Sequence, residues 1–264
     1  MDRARLIASC AESEEDKVLL ARVLERISQG DTRGIPVATC FLSPREQVLA
    51  ERVLRGSGLT EFRFFGGASS AERCVCAYLP EWCDEDWLEG EDGPLTAFRA
   101  SFYEKDTLTH RDFLGSLMGS GVKRETVGDI YVSQGSCDFL VLKEIAPYIS
   151  QNLISAGRTK LSVSVIPLSE LNVPAQETQT IQDTVATLRL DSIVSSGFRM
   201  ARGKASVLIE AGRASLNHLP CLKPDKLVAE GDIISLQGHG KLRLETVRGN
   251  TKKGRVAITL ERYR

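Results

Sequence analysis

The chain has 264 residues, of which 42% are apolar and 26% charged, a composition that fits folded domains and excludes a disordered polypeptide. Its 34 Lys and Arg against 35 Asp and Glu leave a formal net charge of −1, which by itself argues against a nucleic-acid binder. The charges are unevenly distributed, however. Residues 183–264 contain 15 Lys and Arg against 8 Asp and Glu, a net of +7, whereas residues 1–182 carry a net of −8. The sequence therefore predicts a basic C-terminal module attached to an acidic body.

The sequence also predicts a cytoplasmic protein. The N-terminal segment from Met1 to Leu6 lacks the apolar core of a signal peptide, and no stretch approaches the roughly 18 apolar residues of a membrane span. An odd number of cysteines, 7, indicates reduced thiols rather than a disulfide framework. Cys74, Cys76 and Cys83 lie close in sequence, but CxxC spacing and a nearby histidine are missing. We therefore expect buried thiols there, with no metal and no cofactor.

Residues 1–80 are predicted to form a small α/β domain. The apolar residues that mark its first helix are Leu20, Val23, Leu24 and Ile27. Strands are predicted at residues 37–42, 61–65 and 73–79. Ser43 and Pro44 predict a second helix as its N-cap and first-turn residue. The acidic segment 81–95 is interpreted as an exposed loop, because it lacks the ligand spacing of an EF-hand calcium site.

Residues 96–166 are predicted to form a ferredoxin-like domain, the arrangement that RNA-recognition domains also use. The predicted elements follow the order β-α-β-β-α-β, and Thr109 is the predicted N-cap of the first helix. In RNA-recognition domains, aromatic side chains on two central strands stack on bases. Here Phe98, Phe102 and Phe139 lie in apolar alternation and the Gly/aromatic octapeptide of that family is missing, so we expect them to pack in the core.

A linker is predicted at residues 167–182, which contain two prolines and many Gln, Thr and Glu. Residues 183–264 are predicted to form two short helices followed by a small sheet, which makes the whole chain a multidomain α+β protein. The first of these helices starts near Arg189-Leu190-Asp191 and ends at Gly197. The second covers residues 201–211, with Gly212 as its left-handed terminator.

The run RLD…G…AR…A…LI..GR…N…KP…V..GD.I resembles the RNA-binding domain named after ribosomal small-subunit protein four, called the S-four domain below. In that family the second helix and the following hairpin contact structured RNA. The resemblance implies phosphate contacts by the matching cations Arg199, Arg202, Lys204, Arg213, Lys223 and Lys226. The sequence departs from that family at Ala201 and His218, where Ser and Gly are common, and from the narrower bacterial family named next at Gln237, where an Arg is frequent.

Further blocks narrow the resemblance to the YlmH family of bacterial S-four proteins. They are Gly238-His239-Gly240-Lys241, residues 249–255, residues 108–115, residues 121–125 and Gly128-Asp129-Ile130. Lys241, Lys252, Lys253 and Arg255 become additional candidates for RNA contacts, because glycines flank a short span of cations suited to a phosphate backbone. The alternative is a hairpin tip kept soluble by its charge.

The triplet His110-Arg111-Asp112 copies the kinase catalytic loop, but that motif requires an Asn where this chain has Leu117. We interpret His110 and Asp112 as caps of the helix that Thr109 begins. Arg111, Lys123 and Arg124 are kept as secondary candidates for RNA contacts.

The resemblance implies a non-enzymatic, monomeric RNA-binding protein. Its expected partners are ribosomal RNA of the large ribosomal subunit and peptidyl-tRNA, during the ribosome-associated quality control that adds alanine tails to stalled nascent chains. One alternative is an RNA-modifying enzyme of the pseudouridine synthase or methyltransferase type, whose catalytic signatures are not recognisable in residues 1–182. Another is a protein-interaction role in cell division, carried by the acidic N-terminal body.

Overall fold

The computed structural model describes residues 2–251 and 254–263. The chain divides into two compact units, Met1–Pro174 and Ala175–Arg264, and the boundary lies within the segment predicted as a linker. Each unit combines helices and antiparallel sheet, so the predicted mixed α+β multidomain class is confirmed. Within the described ranges, no helix is long and apolar enough to span a bilayer.

The first unit contains two main sheets and the helices that cover them. Its helices are α1 (Arg3–Cys10), α2 (Glu14–Arg33), α3 (Pro44–Gly56), α4 (Asp86–Glu89), α5 (His110–Gly119) and α6 (Ala146–Asn152). Its strands are β1 (Val37–Leu42), β2 (Arg63–Phe65), β3 (Cys74–Tyr78), β4 (Leu95–Ser101), β5 (Val127–Ser133), β6 (Ser136–Leu142), β7 (Ser155–Ala156), β8 (Thr159–Lys160) and β9 (Ser162–Ile166). The sequence patterns do not predict α1, α4 or the β7–β8 hairpin, because each is too short to show a period.

The N-terminal sheet has the strand order β1-β3-β2, with all pairs antiparallel. Helices α2 and α3 bury the apolar side chains that the helical spacing identifies, including Leu20 and Ile27. The predicted N-cap Ser43 is confirmed. Its backbone N–H donates to Glu46, whose own N–H donates to the Ser43 hydroxyl, and together they form a capping box.

Asp16 ties α2 to α3 through a buried carboxylate. It accepts hydrogen bonds from Nη1 and Nη2 of Arg45, both at 2.8 Å, and from the backbone N–H groups of Glu12 and Ser13 at 3.0 and 3.1 Å. The Arg45 hydrogen bonds outweigh the effect of burial and lower the pKa of Asp16 to about 2.

We expect acid to weaken the first unit through Asp16. Its pKa is lower in the folded chain than in the unfolded chain, so the stabilisation is present above about pH 4 and is lost as the pH falls toward 2. The shift from 3.8 corresponds to about 2 kcal/mol. Urea unfolding measures how much the free energy of unfolding falls between about pH 5 and pH 2.5. This fall should be about 1.5 kcal/mol smaller in Asp16→Asn than in the unmodified chain. Equal losses in both proteins would contradict the assignment.

The middle sheet has the order β5-β6-β4-β9, again with antiparallel pairs. Helices α5 and α6 cover one of its faces, where Phe98, Phe113 and Phe139 are fully buried. The rings of Phe98 and Phe139 stack with centroids 5.4 Å apart. Phe102 is partly buried against the same cluster. The prediction that these aromatic residues pack in the core is confirmed.

The opposite face of the middle sheet is covered by two other parts of the first unit. Leu95, Leu140 and Leu142 on this face pack against Phe41 and Val75 of the N-terminal sheet and against Leu168 and Leu171. Gly128 on β5 permits the close approach, because a Cβ there would lie 2.7 Å from the Phe41 ring.

A buried ion pair fastens residues 168–172 across this face. Arg99 donates from Nε and Nη2 to the Asp138 carboxylate at 2.8 and 2.7 Å, and Asp138 is only 1% exposed. Arg99 also donates to the Glu170 carbonyl, and the Asn172 backbone N–H donates to Asp138. Both faces of the sheet are therefore occupied by the protein itself.

The second unit packs two helices on one six-stranded antiparallel sheet. Its helices are α7 (Leu190–Gly197) and α8 (Arg202–Glu210). Its strands are β10 (Thr178–Val185), β11 (Ala214–Leu216), β12 (Leu219–Pro220), β13 (Ile233–Leu236), β14 (Gly240–Asn250) and β15 (Val256–Tyr263), in the order β10-β15-β14-β13-β11-β12. The left-handed terminator Gly212 is confirmed, with φ of 73°.

Strand β10 begins at Thr178, so the prediction of a linker over residues 167–182 is wrong for residues 178–182. All eight of its residues pair with β15. The difference has a physical reason: Thr is a β-branched residue that favours strands, and the partner strand lies about 80 positions later, beyond the reach of local composition.

Candidate nucleic-acid interface

Asp191 organises the start of α7 and is only 2% exposed. It accepts hydrogen bonds from Nε and Nη2 of Arg189 at 3.3 and 3.0 Å, and from Nη2 of Arg202 at 3.1 Å. The backbone N–H groups of Leu190 and Asp191 donate to the carbonyls of Lys226 and Pro224 at 2.8 and 3.0 Å. These contacts bring the beginnings of both helices and the loop 223–226 together, and we call Arg189, Asp191 and Arg202 the Asp191 cluster.

Burial opposes the ionisation of Asp191. The hydrogen bonds and positive charges of Arg189 and Arg202 outweigh that effect, so the pKa of Asp191 lies below its usual value. Arg202, a predicted RNA contact, is therefore also the partner of a buried carboxylate. Its side chain remains about half exposed, so its outer edge still faces solvent.

Four of the predicted contacts are exposed cations on the α7–α8 turn, on α8 and on the loop 223–226, the elements that the Asp191 cluster joins. They are Arg199, Lys204, Lys223 and Lys226. Arg199 lies in the turn between α7 and α8 with φ of 51°, a left-handed conformation that sets the angle between the helices. The structure thus gathers candidates from three separate parts of the sequence, and we call these four residues the helix-side basic surface.

Arg213, Gln237 and Lys241 lie near the turn between β13 and β14. The Gln237 backbone N–H donates to the Arg213 carbonyl at 2.9 Å, and Arg213 Nη2 lies 3.5 Å from the Gln237 carbonyl. The Lys241 ammonium lies 5.0 Å from the centroid of the Tyr263 ring, a cation–π contact. Arg262 also donates from Nη2 to the His239 carbonyl at 3.2 Å, so two guanidinium groups, those of Arg213 and Arg262, lie beside this turn despite the departure at Gln237.

The predicted basic tip between β14 and β15 is described only in part. Lys252 and Lys253 lie outside the described residues. Arg255 is exposed and donates from Nε to the Thr184 hydroxyl at 2.9 Å, and it also donates from Nη2 to the Thr184 carbonyl. Arg255 therefore anchors the end of β10 while it contributes charge to the surface.

The departure at His218 leaves the β11–β12 turn intact. Asn217 and His218 both have positive φ, 48° and 68°, as the two central residues of a type I′ turn require. The Asn217 side chain holds the turn by donating to Asp232 at 2.8 Å and accepting from the Ile233 backbone N–H at 2.9 Å.

The secondary candidates of the first unit lie in different environments. Arg111 and Lys123 are exposed, and Thr109 forms the expected capping box with Asp112, whose carboxylate accepts from the Thr109 N–H at 2.8 Å. Arg124 is half-buried and donates to the carbonyls of Val127 and Gly128. Burial and then the nearby charge of Arg73 lower the pKa of Arg124 to about 10. The interpretation of Asp112 as a cap is confirmed.

The cysteines with close spacing are mostly buried. Cys74 and Cys76 lie inside β3, and burial raises their pKa values to about 11 and about 12. In the part of the chain that the structure describes, no three His, Cys, Asp or Glu side chains are grouped closely enough to hold a metal ion.

Two basic residues at this interface are not predicted from the sequence. Arg189 belongs to the matched motif, yet only its contact with Asp191 reveals its position beside Arg202. Arg248 is exposed on β14, three residues before Thr251, and its charge adds to the tip. The signal that could have identified Arg189 and Arg248 is their position in the sequence, within or next to the matched motifs.

Replacing Asp191 with asparagine should destabilise the second unit by about 2 kcal/mol, because a charge-assisted hydrogen-bond network loses its acceptor charge. Hydrogen exchange of the α7 and α8 amides measures this opening locally. Asp225→Asn, which removes the same charge at an exposed position in the adjacent loop, is the matched control. Equal exchange rates in the two variants would show that the Asp191 cluster does not stabilise the helices.

Comparisons with known proteins agree in pointing to one family. Residues 94–170 match the family model described as "Putative RNA-binding domain in YlmH". The chain is 36% identical over 227 residues to the ribosome-associated protein quality control protein P2 of Bacillus subtilis (strain 168), covering 86% of this chain and 87% of that protein. It is similar in fold to the cell division protein ylmH from Streptococcus pneumoniae, with a TM-score of 0.51, 18% identity, and coverage of 62% of this chain and 98% of that one. Because the 36% identity extends over most of both proteins and the family model matches residues 94–170, the chain belongs to the YlmH family.

Proposed function

We propose that this protein binds RNA in ribosome-associated quality control, with ribosomal RNA of the large subunit and peptidyl-tRNA as its partners. The observation that carries the proposal is the helix-side basic surface, in which Arg199, Lys204, Lys223 and Lys226 are all exposed on elements that the buried Asp191 cluster joins. Cations in this arrangement neutralise phosphates and release counterions. The name of the Bacillus subtilis relative supports the cellular process.

The folds of the two RNA-associated parts are proposed on the same basis. We infer an S-four arrangement for the second unit, since α7 and α8 precede the β11–β12 hairpin and the matched motif spans all three elements. A ferredoxin-like arrangement for the middle sheet is supported by the order β5-β6-β4-β9 with both helices on one face. Structured RNA is recognised largely through its shape and backbone, which suits a rigid helix pair that displays cations.

The protein is proposed to act by holding RNA in place while other factors extend stalled chains with alanine. The basic second unit would supply affinity for structured RNA, and the net charge of −8 over residues 1–182 would repel RNA from those surfaces of the body that display acidic side chains. We propose no chemical step for the protein itself.

Crosslinking of the protein to RNA in cells, followed by sequencing, tests this function. We expect a footprint on large-subunit ribosomal RNA and on tRNA that disappears in Lys204→Glu/Lys226→Glu. A footprint confined to messenger RNA would contradict the ribosomal assignment. The lack of any footprint would favour protein interactions of the acidic body instead. Modified nucleosides formed by the purified protein on ribosomal RNA would favour an enzyme.

A further inference from the structure

A large groove within the first unit lies between the N-terminal α/β part and the ends of the middle sheet. Its walls are formed by α2, β1, residues 123–125 and residues 142–144, and its volume is about 1360 Å³. Pockets for small ligands measure roughly 300–1,000 Å³. The size therefore fits an extended ligand better than a single small molecule.

Two arginines from separate parts of the sequence meet in the wall of this groove. Arg73 donates from Nε to the Val127 carbonyl at 3.0 Å, and Arg124 donates from Nη1 to the same oxygen at 2.5 Å. Arg73 Nη2 also donates to the carbonyls of Phe41 and Arg124, at 3.2 and 3.3 Å. A shared acceptor places the two guanidinium groups side by side.

The two positive charges face each other without direct ion pairs. Among the described residues, no carboxylate lies within ion-pair distance of either guanidinium, and Glu46 and Asp129 act on them only at longer range. Asp129 instead accepts from the backbone N–H groups of Glu72 and Arg73. Burial lowers the pKa of both arginines, and the charge of Arg73 lowers the pKa of Arg124 further.

Several N–H donors of this pair remain accessible to solvent. The hydrogen bonds of Arg73 use Nε and Nη2, and those of Arg124 use Nη1. Within the described chain, the buried polar atoms that lack a partner are Arg243 Nε, Thr246 Oγ1 and Thr259 Oγ1. Arg73 Nη1 and Arg124 Nε and Nη2 are not among them, so these donors reach solvent. Paired guanidinium donors of this kind match the oxygens of a phosphate group.

We propose that Arg73 and Arg124 form a phosphate-binding site for a single-stranded RNA segment, separate from the basic surface of the second unit. The inference rests on the proposed RNA-binding function and extends it to the first unit. A cationic groove with an aromatic side chain is the usual platform for single strands, and Trp87 lines the same groove. Exposed Lys123 adds a further cation to the rim.

Cys40 lies in the same groove as the two arginines, beside side chains of both charge signs. Burial raises the pKa of the exposed Cys40 thiol on β1, and the charges of Glu125 and Glu144 raise it further. The positive charge of Arg22, which lies 4.0 Å from Glu125, acts on Cys40 in the opposite direction. We place the phosphate on the arginines and the bases toward the remaining groove, over Cys40.

Cys40 provides a reporter, because bound RNA would shield it from alkylation. The protein used is Lys204→Glu/Lys226→Glu, which removes cations of the second unit, and the probe is a ten-nucleotide oligouridylate. At a concentration of about ten times its Kd, the RNA should slow Cys40 alkylation about tenfold, as measured by mass spectrometry. Cys10, on α1 and outside the groove, is the internal control and should react at an unchanged rate.

Substitutions separate this site from a merely structural role of the arginines. Arg73→Lys/Arg124→Lys keeps the charges but removes the fork of donors, and the protection of Cys40 should disappear in a protein that still melts cooperatively. If this variant does not fold, Lys123→Glu, at an exposed position, should reduce the protection at least threefold. Retained protection in the folded variant, or in Lys123→Glu, would overturn the site.

Two further results would also overturn the proposal. One is unchanged Cys40 alkylation in the presence of the oligouridylate, and the other is equal protection by pyrophosphate, which would assign the site to free phosphate compounds. The proposed function is tested separately, by the binding of the unmodified chain to ribosomal subunits. If that binding is missing, the proposed function is wrong, whatever the alkylation of Cys40 shows.

Discussion

Replacing Phe139 with alanine is expected to lower the free energy of unfolding of the first unit by about 4 kcal/mol, since it removes a fully buried ring and leaves a cavity. The ring stacks on Phe98 at the centre of the middle sheet, with centroids 5.4 Å apart, and it packs in the same buried cluster as Phe113 and Leu117 of α5. Urea unfolding followed by the fluorescence of Trp82 and Trp87, both in the first unit, measures the effect.

The same position distinguishes core packing from base stacking. Phe139→Leu keeps most of the apolar volume, so it should cost roughly 1 kcal/mol of stability and leave RNA affinity unchanged. A base-stacking role would instead cost about 1–3 kcal/mol of binding per base. Reduced RNA affinity in a folded Phe139→Leu protein would therefore contradict the assignment of these rings to the core.

The double substitution Lys204→Glu/Lys226→Glu should weaken binding to large ribosomal subunits about 100-fold at constant salt, with little change in stability. Both side chains are exposed, one on α8 and the other in the loop whose carbonyl caps α7. Each lysine neutralises phosphate charge, so a plot of log affinity against log salt should also become less steep, by about 0.7–0.9 for each phosphate that is no longer neutralised. Co-sedimentation over a series of salt concentrations measures both effects.

A matched control carries the same change in charge in the first unit, far from Lys204 and Lys226 in the sequence. Arg3 and Arg5 are exposed in the first turns of α1, where acidic residues suit the helix dipole, so Arg3→Glu/Arg5→Glu should fold and bind normally. If both double variants lose affinity equally, net charge alone drives association, and the helix-side basic surface is not the site. Arg202 is a poor choice for this experiment, because its charge also stabilises buried Asp191.

Local sequence signals predict much of the scaffold. Ser43 and Thr109 begin helices through capping boxes, Gly212 ends α8, and the apolar pattern identifies the side chains of β4 and β6 that pack beneath α5 and α6. These features depend on residues within a few positions of each other, so pattern and propensity contain the necessary information. The family resemblance likewise depends on contiguous motifs, and the comparisons confirm it.

The sequence alone therefore determined the family, the mixed α+β class, the basic character of the last third and the boundaries of several helices, including the starts of α3 and α5 and both ends of α7. Only the tertiary structure decided that Arg202 is paired with Asp191, that Arg124 lies in a groove beside Arg73, and that Leu168 and Leu171 help to cover the second face of the middle sheet. The reason is physical: a side chain's charge, exposure and partners depend on residues that are tens of positions away, and burial changes what each of them contributes. The net charge of −1 is thus the sum of an acidic part and a basic part of the chain. The cations within each part differ in their exposure and in their ion-pair partners.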